Sequence, residues 1–120
     1  QYDVVVLEDL AYFGMDFRKD LGNPGEPPYQ SSVANYTDNY VLLISGSKIF
    51  SYAGQRIGVT CISNQLYHRI YSGFKTIYGG GTFGSVFLHR VLYALSSGTS
   101  HSAQYALAAM LDSAVKGEFR

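Results

Sequence analysis

The sequence has no tryptophan, a single cysteine and no surplus of charge of either sign. A lone thiol at Cys61 excludes a disulfide framework and a metal site built on several thiolates. The 9 basic and 9 acidic residues give a formal net charge of zero, which argues against broad electrostatic binding to nucleic acid or to an anionic membrane surface. No apolar run approaches the ~20 residues of a membrane-spanning helix.

Two further absences bear on location and on metal binding. The opening "QYDVVVLEDLAY" meets acidic residues early and has no basic leader, so it does not resemble a signal peptide, and we expect a cytoplasmic protein. The three histidines, His68, His89 and His101, include no pair four residues apart. We therefore expect no metal site.

Short apolar runs in the first half predict strands. They are "YDVVVLED", which ends at acidic residues, then "YVLLIS" and "RIGVTCIS". Residues 41–44 are continuously apolar, which favours a strand covered on both faces, as in a parallel α/β sheet. Residues 10–30 contain all three prolines and predict an irregular loop, and "SSVANYTDN" predicts a short helix capped by Ser31 or Ser32.

The second half predicts three helices. "NQLYHRIYSGFKTIY" puts Leu66, Ile70, Phe74 and Ile77 on one face, with Asn64 as a plausible cap. "SVFLHRVLYALSS" resumes the helical pattern. "SHSAQYALAAMLDSAVKG" has an apolar face formed by Ala103, Leu107, Met110, Leu111 and Ala114, and Gly117 is a natural stop.

The segment "GGGTFG" matches the spacing of a dinucleotide-binding fingerprint at Gly79, Gly81 and Gly84. Such a fingerprint needs a strand before it and an acidic residue about 20 positions later. The preceding segment has a helical pattern, and position 104 is Gln. We therefore interpret these glycines as a flexible connection between helices.

Polar residues follow two of the predicted strands. Ser45, Ser47 and Lys48 come directly after the second strand, where ligands gather in open α/β sheets. With Arg56 they offer two hydroxyls and two cations, which suit an anion such as phosphate. Asp9 ends the first strand and Tyr12 follows three residues later, so one turn would aim both into the same space. The alternative for this pair is a helix-capping Asp and a core Tyr.

Together, "DLAY" at residues 9–12 and "SGSKIFSYAGQRIG" at residues 45–58 resemble the pyridoxal-phosphate-dependent aminotransferases of the aspartate aminotransferase-like family, class I/II and fold type I. Every fixed position of that family's S-x-S-K-x-x-x-x-x-G-x-R-x-G pattern is filled: Ser45, Ser47, Lys48, Gly54, Arg56 and Gly58. "SHSAQYALAAML" resembles a family helix opening more loosely. The resemblance implies an α/β fold in which residues 1–120 form part of the large cofactor-binding domain of a longer protein, with short, mostly parallel strands followed by helices.

The resemblance also implies a role for each matched residue. Lys48 would be catalytic and form the Schiff base with pyridoxal 5'-phosphate. Arg56, Ser45 and Ser47 would bind the cofactor phosphate, Asp9 would pair with the ring nitrogen, and Tyr12 would hydrogen-bond the phenolic oxygen. The implied substrates are an amino acid and a 2-oxo acid, and the implied parent is a homodimer.

The sequence departs from the family pattern in several places. Gly46 stands between the two serines, where the family more often has a bulkier residue. We find no asparagine-proline segment for the cofactor's ring face, no amino-terminal glycine-rich phosphate loop and no late arginine for a substrate carboxylate; the pair Asn23–Pro24 lies within the predicted loop. These 120 residues would therefore hold about half of an active site and be inactive alone. Two alternatives stay open: another fold type I reaction, such as a carbon–sulfur lyase or an acyl-condensing synthase, and a non-catalytic domain that keeps the fold.

Overall fold

A three-stranded sheet organises the chain. The computed structural model describes residues 2–18 and 25–118. Strands β1 (Val6–Leu10), β2 (Tyr40–Ser45) and β3 (Gly58–Ile62) lie in that order, with β2 in the centre. β1 runs parallel to β2, and β3 runs antiparallel to it. The predicted α/β class is confirmed. The sheet is mixed because the chain reverses direction after β2, so that β3 pairs with β2 in the antiparallel sense.

The predicted strands agree with the structure except for the residues at which they begin and end. β2 covers the whole of "YVLLIS", whereas β1 begins only at Val6, whose partner across the sheet is Tyr40, the first residue of β2. β2 is covered less completely than its apolar run predicts: Val41 is fully buried, but Leu42 and Leu43 are half-buried. The helices therefore cover only part of the central strand.

The described residues contain six α-helices, the first of them between β2 and β3 and the others after β3. They are α1 (Gly46–Ile49), α2 (Asn64–Tyr67), α3 (Gly73–Tyr78), α4 (Phe83–Val86), α5 (Tyr93–Ser96) and α6 (His101–Val115). Two 3₁₀ turns, Val33–Asn35 and Ala53–Gln55, lie between strands, and a π-helical segment, Phe87–Leu92, joins α4 to α5. Ser32, one of the two predicted caps, accepts a hydrogen bond from the amide of Ala34 at the first of these turns. Among the described residues, no helix has the length and apolar character needed to cross a membrane.

The predicted helix over residues 64–78 is wrong, because the structure divides it into α2 and α3. The chain leaves the helix at His68, and Ile70 forms an isolated antiparallel bridge with Thr82. Ile70 and Ile77, both expected on the buried face, are 75% and 71% exposed. The side chain of Arg69 bonds to Asp3 and Asn39, which holds this segment in an extended connection instead of a helical turn.

The N-terminal cap of α2 is also different from the prediction. Ser63, which is buried, accepts a hydrogen bond from the amide of Leu66 at 3.0 Å, so the cap lies one residue before Asn64. The Ser63 hydroxyl also donates to the carbonyl oxygen of Asp38, which ties α2 to the segment before β2. A short polar side chain at this position satisfies an amide that the first helical turn leaves free.

The glycine segment connects two helices, as predicted. Gly79 ends α3 in the left-handed conformation, with φ of 79°, and Thr82 caps α4 through a hydrogen bond from the amide of Ser85. A helix precedes the segment, so the strand that a dinucleotide fingerprint requires is not there. Around this connection the ring of Phe74 packs against Tyr71, Tyr78 and Phe83.

The main core cluster lies between α6 and the turns that follow β2. Ile57, Ala103 and Leu107 form this cluster, and Phe50, Tyr52, Val59 and Met110 pack against it. The predicted apolar face of α6 is confirmed at Ala103 and Leu107, whereas Leu111 is 38% exposed. Gly117, with φ of 75°, follows the end of α6. The core therefore supports the end of the sheet that carries the predicted site.

Candidate active site

The strand pairing brings the predicted site residues to one end of the sheet. In the parallel pair Asp9 lies opposite Leu43, so the end of β1 is beside the end of β2. In the antiparallel pair Ser45 lies opposite Gly58, which places Arg56 close to the turn that begins at Ser45. Residues distant in sequence meet here because each of them flanks the end of a neighbouring strand.

Four of the six predicted site residues line one groove. They are Asp9, Ser45, Ser47 and Arg56, and the groove has a volume of about 650 Å³. This volume falls within the usual range of small-molecule sites, about 300–1,000 Å³. The groove therefore combines a carboxylate, two hydroxyls and a guanidinium in a space of suitable size for a small ligand.

Lys48 and Tyr12 contact each other instead of lining this groove. The Nζ atom of Lys48 lies 5.6 Å from the centroid of the Tyr12 ring, a distance typical of a cation–π contact. Tyr12 is 66% exposed and reaches this position through a turn in which the amide of Phe13 donates to the carbonyl oxygen of Leu10. Tyr12 is thus not the core residue that the alternative interpretation required.

The turn at the end of β2 sets the position of Lys48. Ser45 caps α1 by accepting a hydrogen bond from the amide of Ser47 at 3.1 Å. A hydroxyl that accepts one bond can still donate its own hydrogen, so Ser45 keeps a donor for a ligand. Lys48 lies in the only turn of α1 and is exposed.

Arg56 has a strained backbone that the surrounding turn holds in place. Its φ and ψ angles are both 51°, in the left-handed region that costs a non-glycine residue about 1 kcal/mol or more. Its amide donates to the carbonyl oxygen of Ala53 at 3.3 Å, and its Nη1 donates to the same oxygen at 2.8 Å. The guanidinium group has five N–H donors, of which this contact uses one, so the others are left for a ligand. Within the described residues, Arg56 forms no ion pair.

Glu8 and Asp9 have different roles although they are neighbours. Alternate side chains of a strand point to opposite faces. The carboxylate of Glu8 accepts from the hydroxyl of Ser32 at 2.7 Å and from the amide of Val33 at 2.9 Å, so it holds the first 3₁₀ turn. Asp9 lines the groove, and its Oδ1 accepts from the amide of Ala11 at 3.0 Å.

The three glycines of the lysine–arginine segment are not equivalent. A Cβ at Gly58 would come within 2.7 Å of the carbonyl oxygen of Ile44, so the β2–β3 pairing itself excludes a side chain there. A Cβ at Gly54 would meet nothing within 4 Å. Gly46 is buried, and a Cβ there would lie 3.3 Å from Cδ1 of Leu107.

Sequence analysis did not identify the far wall of the groove. It is lined by three leucines and two hydroxyl residues: Leu88, Leu92, Leu95, Ser96 and Thr99. The leucines recur at spacings of four and three, a signal of one helical face that was available in the sequence. What the spacing does not reveal is that this face borders the ends of the strands.

A comparison with known protein families matches the family described as aminotransferase class I and II over residues 1–117. The chain belongs to this family, and the resemblance noted in the sequence is confirmed. A comparison with curated proteins finds no match. Family members are enzymes that use pyridoxal phosphate. Among the residues that the structure describes, no group of His, Cys, Asp and Glu side chains could hold a metal ion.

The donor set fits this cofactor. A phosphate needs several N–H and O–H donors, and Ser45, Ser47 and Arg56 supply them on one groove. A protonated ring nitrogen needs an acceptor, and Asp9 lines the same groove. Lys48 lies beside Tyr12 and follows Ser47 in the chain, and it carries the primary amine that the cofactor aldehyde requires.

Proposed function

We propose that the protein containing this chain is an aminotransferase, which moves an amino group between an amino acid and a 2-oxo acid. We also propose that Asp9, Tyr12, Ser45, Ser47, Lys48 and Arg56 hold pyridoxal 5'-phosphate at the end of the sheet. The observation that carries the proposal is the convergence of Asp9, Ser45, Ser47 and Arg56 on one groove. Family membership over residues 1–117 supports it.

Each residue has a task that follows from its chemistry. Arg56 and the two serine hydroxyls would bind the phosphate, and the planar guanidinium would offer two parallel donors to it. The Asp9 carboxylate would accept a hydrogen bond from the ring nitrogen and would keep it protonated. Such a charge-assisted bond is worth about 1.5–3 kcal/mol.

In this proposal Lys48 and Tyr12 act at the aldehyde end of the cofactor. Lys48 would hold the cofactor aldehyde through its primary amine, with loss of water. Once a substrate amine takes its place, the freed Lys48 amine would move the proton at the substrate α-carbon. The hydroxyl of Tyr12 would hydrogen-bond the phenolic oxygen of the cofactor, and the Tyr12 ring would orient the Lys48 side chain, which lies beside it. When bound, pyridoxal phosphate supplies the carbonyl that accepts the amino group and a ring that withdraws electrons.

The first experiment tests covalent attachment at Lys48 in the full natural protein that contains this sequence. The protein is mixed with pyridoxal phosphate, its absorbance spectrum is recorded, and the adduct is reduced with borohydride and mapped by peptide analysis. We expect a visible absorbance band and a label on Lys48, both lost in Lys48→Ala. Lys75→Ala is the matched control, because Lys75 is an exposed lysine of α3. A folded protein without the band would contradict the cofactor assignment.

A second experiment separates transamination from the other fold type I reactions. The cofactor-loaded protein is incubated with a panel of amino acids and 2-oxoglutarate, and both products are quantified. Stoichiometric exchange of the amino group supports an aminotransferase, because both half-reactions must then be completed. Release of a thiol without exchange would indicate the lyase alternative. Release of carbon dioxide and a thiol only when an acyl thioester is added would indicate the acyl-condensing alternative.

The homodimer and the longer parent chain are part of the same proposal. None of the described residues is assigned to a substrate carboxylate in this proposal, and a second chain or a further segment would provide that donor. Sedimentation of the full natural protein measures its assembly state. A monomer with full exchange activity would contradict the dimer proposal.

A further inference from the structure

Gly46 joins the turn that carries Lys48 to the turn that carries Arg56. The amide of Gly46 donates to the carbonyl oxygen of Ile57 at 3.2 Å. Its own carbonyl oxygen accepts from the amides of Phe50, at 3.3 Å, and Tyr52, at 3.2 Å. The residue two positions before Lys48 is therefore bonded directly to the residue that follows Arg56.

This junction rests on one side chain of α6. A Cβ on Gly46 would lie 3.3 Å from Cδ1 of Leu107, which places the Gly46 backbone against that side chain. Leu107 is 5% exposed and shares the core cluster with Ile57, which is 6% exposed. Leu107 thus supports both sides of the junction, although it carries no polar group and does not line the groove.

We propose that Leu107 is a positioning residue that sets the spacing between Lys48 and Arg56. The inference rests on the proposed function, because it concerns how the two cations hold one cofactor. A ligand attached at two points gains affinity only when the distance between the points matches its own length. Close packing makes Leu107 a stiff support, so shortening it lets the two turns shift relative to each other.

The experiment measures, in the full natural protein, how much affinity a ligand gains when it is held at both Lys48 and Arg56. Its three probes are pyridoxal phosphate, which uses both attachment points, pyridoxal, which lacks the phosphate, and inorganic phosphate, which lacks the aldehyde. The measured quantity is the ratio of the dissociation constants for pyridoxal and pyridoxal phosphate. In Leu107→Ala we expect this ratio to fall by about 10- to 100-fold, while the affinities for pyridoxal and for phosphate alone change little.

Met110→Ala is the matched control, because Met110 also packs against the core cluster from α6. It shortens a side chain of the same helix that supplies none of the three atoms nearest to a Cβ on Gly46, which belong to Leu107 and Ile57. We expect the ratio to stay at the wild-type value in Met110→Ala. Leu107→Met keeps the side-chain volume and is expected to keep most of the ratio as well.

A general loss of stability would not produce this pattern, since it would weaken all probes together. Circular dichroism and thermal melting check folding, and Leu107→Val replaces Leu107→Ala if the latter does not fold. An unchanged ratio in a folded Leu107→Ala or Leu107→Val protein would overturn the inference while leaving the proposed function intact. Failure of the wild-type protein to bind pyridoxal phosphate would overturn the proposed function and the inference with it.

Discussion

At the scale of single residues, Gly84 is a position where a side chain has no room. It is buried in α4, and a Cβ there would overlap the ring of Tyr67. The overlapping atoms include Cγ, the ring carbon that is bonded to Cβ of Tyr67. Moving only the far end of the side chain would therefore not relieve the clash. The close approach of Tyr67 to α4 therefore depends on glycine.

We predict that Gly84→Ala lowers the free energy of unfolding by about 1–3 kcal/mol, because overpacking forces neighbouring groups to move. A urea titration of the full natural protein measures the change. Gly73→Ala is the control: a Cβ at this first residue of α3 meets nothing within 4 Å, and alanine is the better helix former. Equal unfolding midpoints for the two variants would show that Tyr67 can move away at little cost.

Arg56 is the second residue whose role can be tested singly. We predict that Arg56→Gln weakens binding of pyridoxal phosphate by about 10- to 100-fold, because the phosphate loses a charge-assisted, two-donor contact. Binding of pyridoxal, which has no phosphate, should be unchanged. Titrations followed by absorbance give both constants. Arg90→Gln removes another exposed arginine that does not line the groove, and an equal effect there would argue against the assignment.

At the scale of elements, an ion pair holds the amino-terminal segment against the connection between α2 and α3. Nη1 of Arg69 donates to Oδ1 of Asp3 at 2.8 Å, and Nδ2 of Asn39 donates to the same oxygen at 2.8 Å. Hydrogen bonding from Arg69 lowers the pKa of Asp3 below its ordinary value of 3.8. The same contact raises the pKa of Arg69.

We predict that the stabilisation from this pair is present above the ordinary pKa of an aspartate and is lost as the pH falls through the lowered pKa of Asp3. The sign follows because the unfolded chain takes up the proton at a higher pH than the folded chain. An NMR titration of the Asp3 carboxyl group should show its pKa rising towards 3.8 in Arg69→Gln. Arg18→Gln, which removes the separate pair with Asp16, should leave the Asp3 titration unchanged. If the pKa of Asp3 changed in Arg18→Gln but not in Arg69→Gln, the assignment of its lowered pKa to Arg69 would be wrong.

At the scale of the whole molecule, the chain is flat and exposes a large surface. Its extents are 48 × 38 × 19 Å and its radius of gyration is 16.2 Å, against about 13.6 Å for a compact domain of this length. It exposes 8752 Å², whereas a folded monomer of this size exposes about 6,400 Å². Large apolar side chains contribute to this surface, including Leu7 at 60%, Ile77 at 71% and Leu95 at 84% exposed.

We predict that residues 1–120 produced alone bind a hydrophobic dye and self-associate, because exposed apolar surface of this extent favours association. The full natural protein should bind the dye much less, since further protein surface would cover these side chains. Dye fluorescence and light scattering at equal molar concentration compare the two. A monomeric, dye-negative piece with cooperative unfolding would contradict the proposal that the chain is part of a larger domain.

The sequence by itself determined the parts of the fold that depend on local pattern. The three strands, the long helix α6 and the glycine connection were predictable because alternation, helical spacing and turn residues act over a few neighbouring positions. Asp9, Tyr12, Ser45, Ser47, Lys48 and Arg56 could be named as candidate site residues because they stand near strand ends and match a family pattern. Asp9, Ser45, Ser47 and Arg56 line one groove, and the roles of all six stay predictions.

Only the tertiary structure decided which elements meet. The antiparallel pairing of β3, the break between α2 and α3 at Arg69, and the placement of Leu107 beneath Gly46 depend on partners far away in the chain. A local pattern reports that a face is apolar but not what covers it, which is why Ile77 remained exposed and the leucines of the groove wall were missed. Long-range hydrogen bonds and packing overrode local propensity wherever the two disagreed.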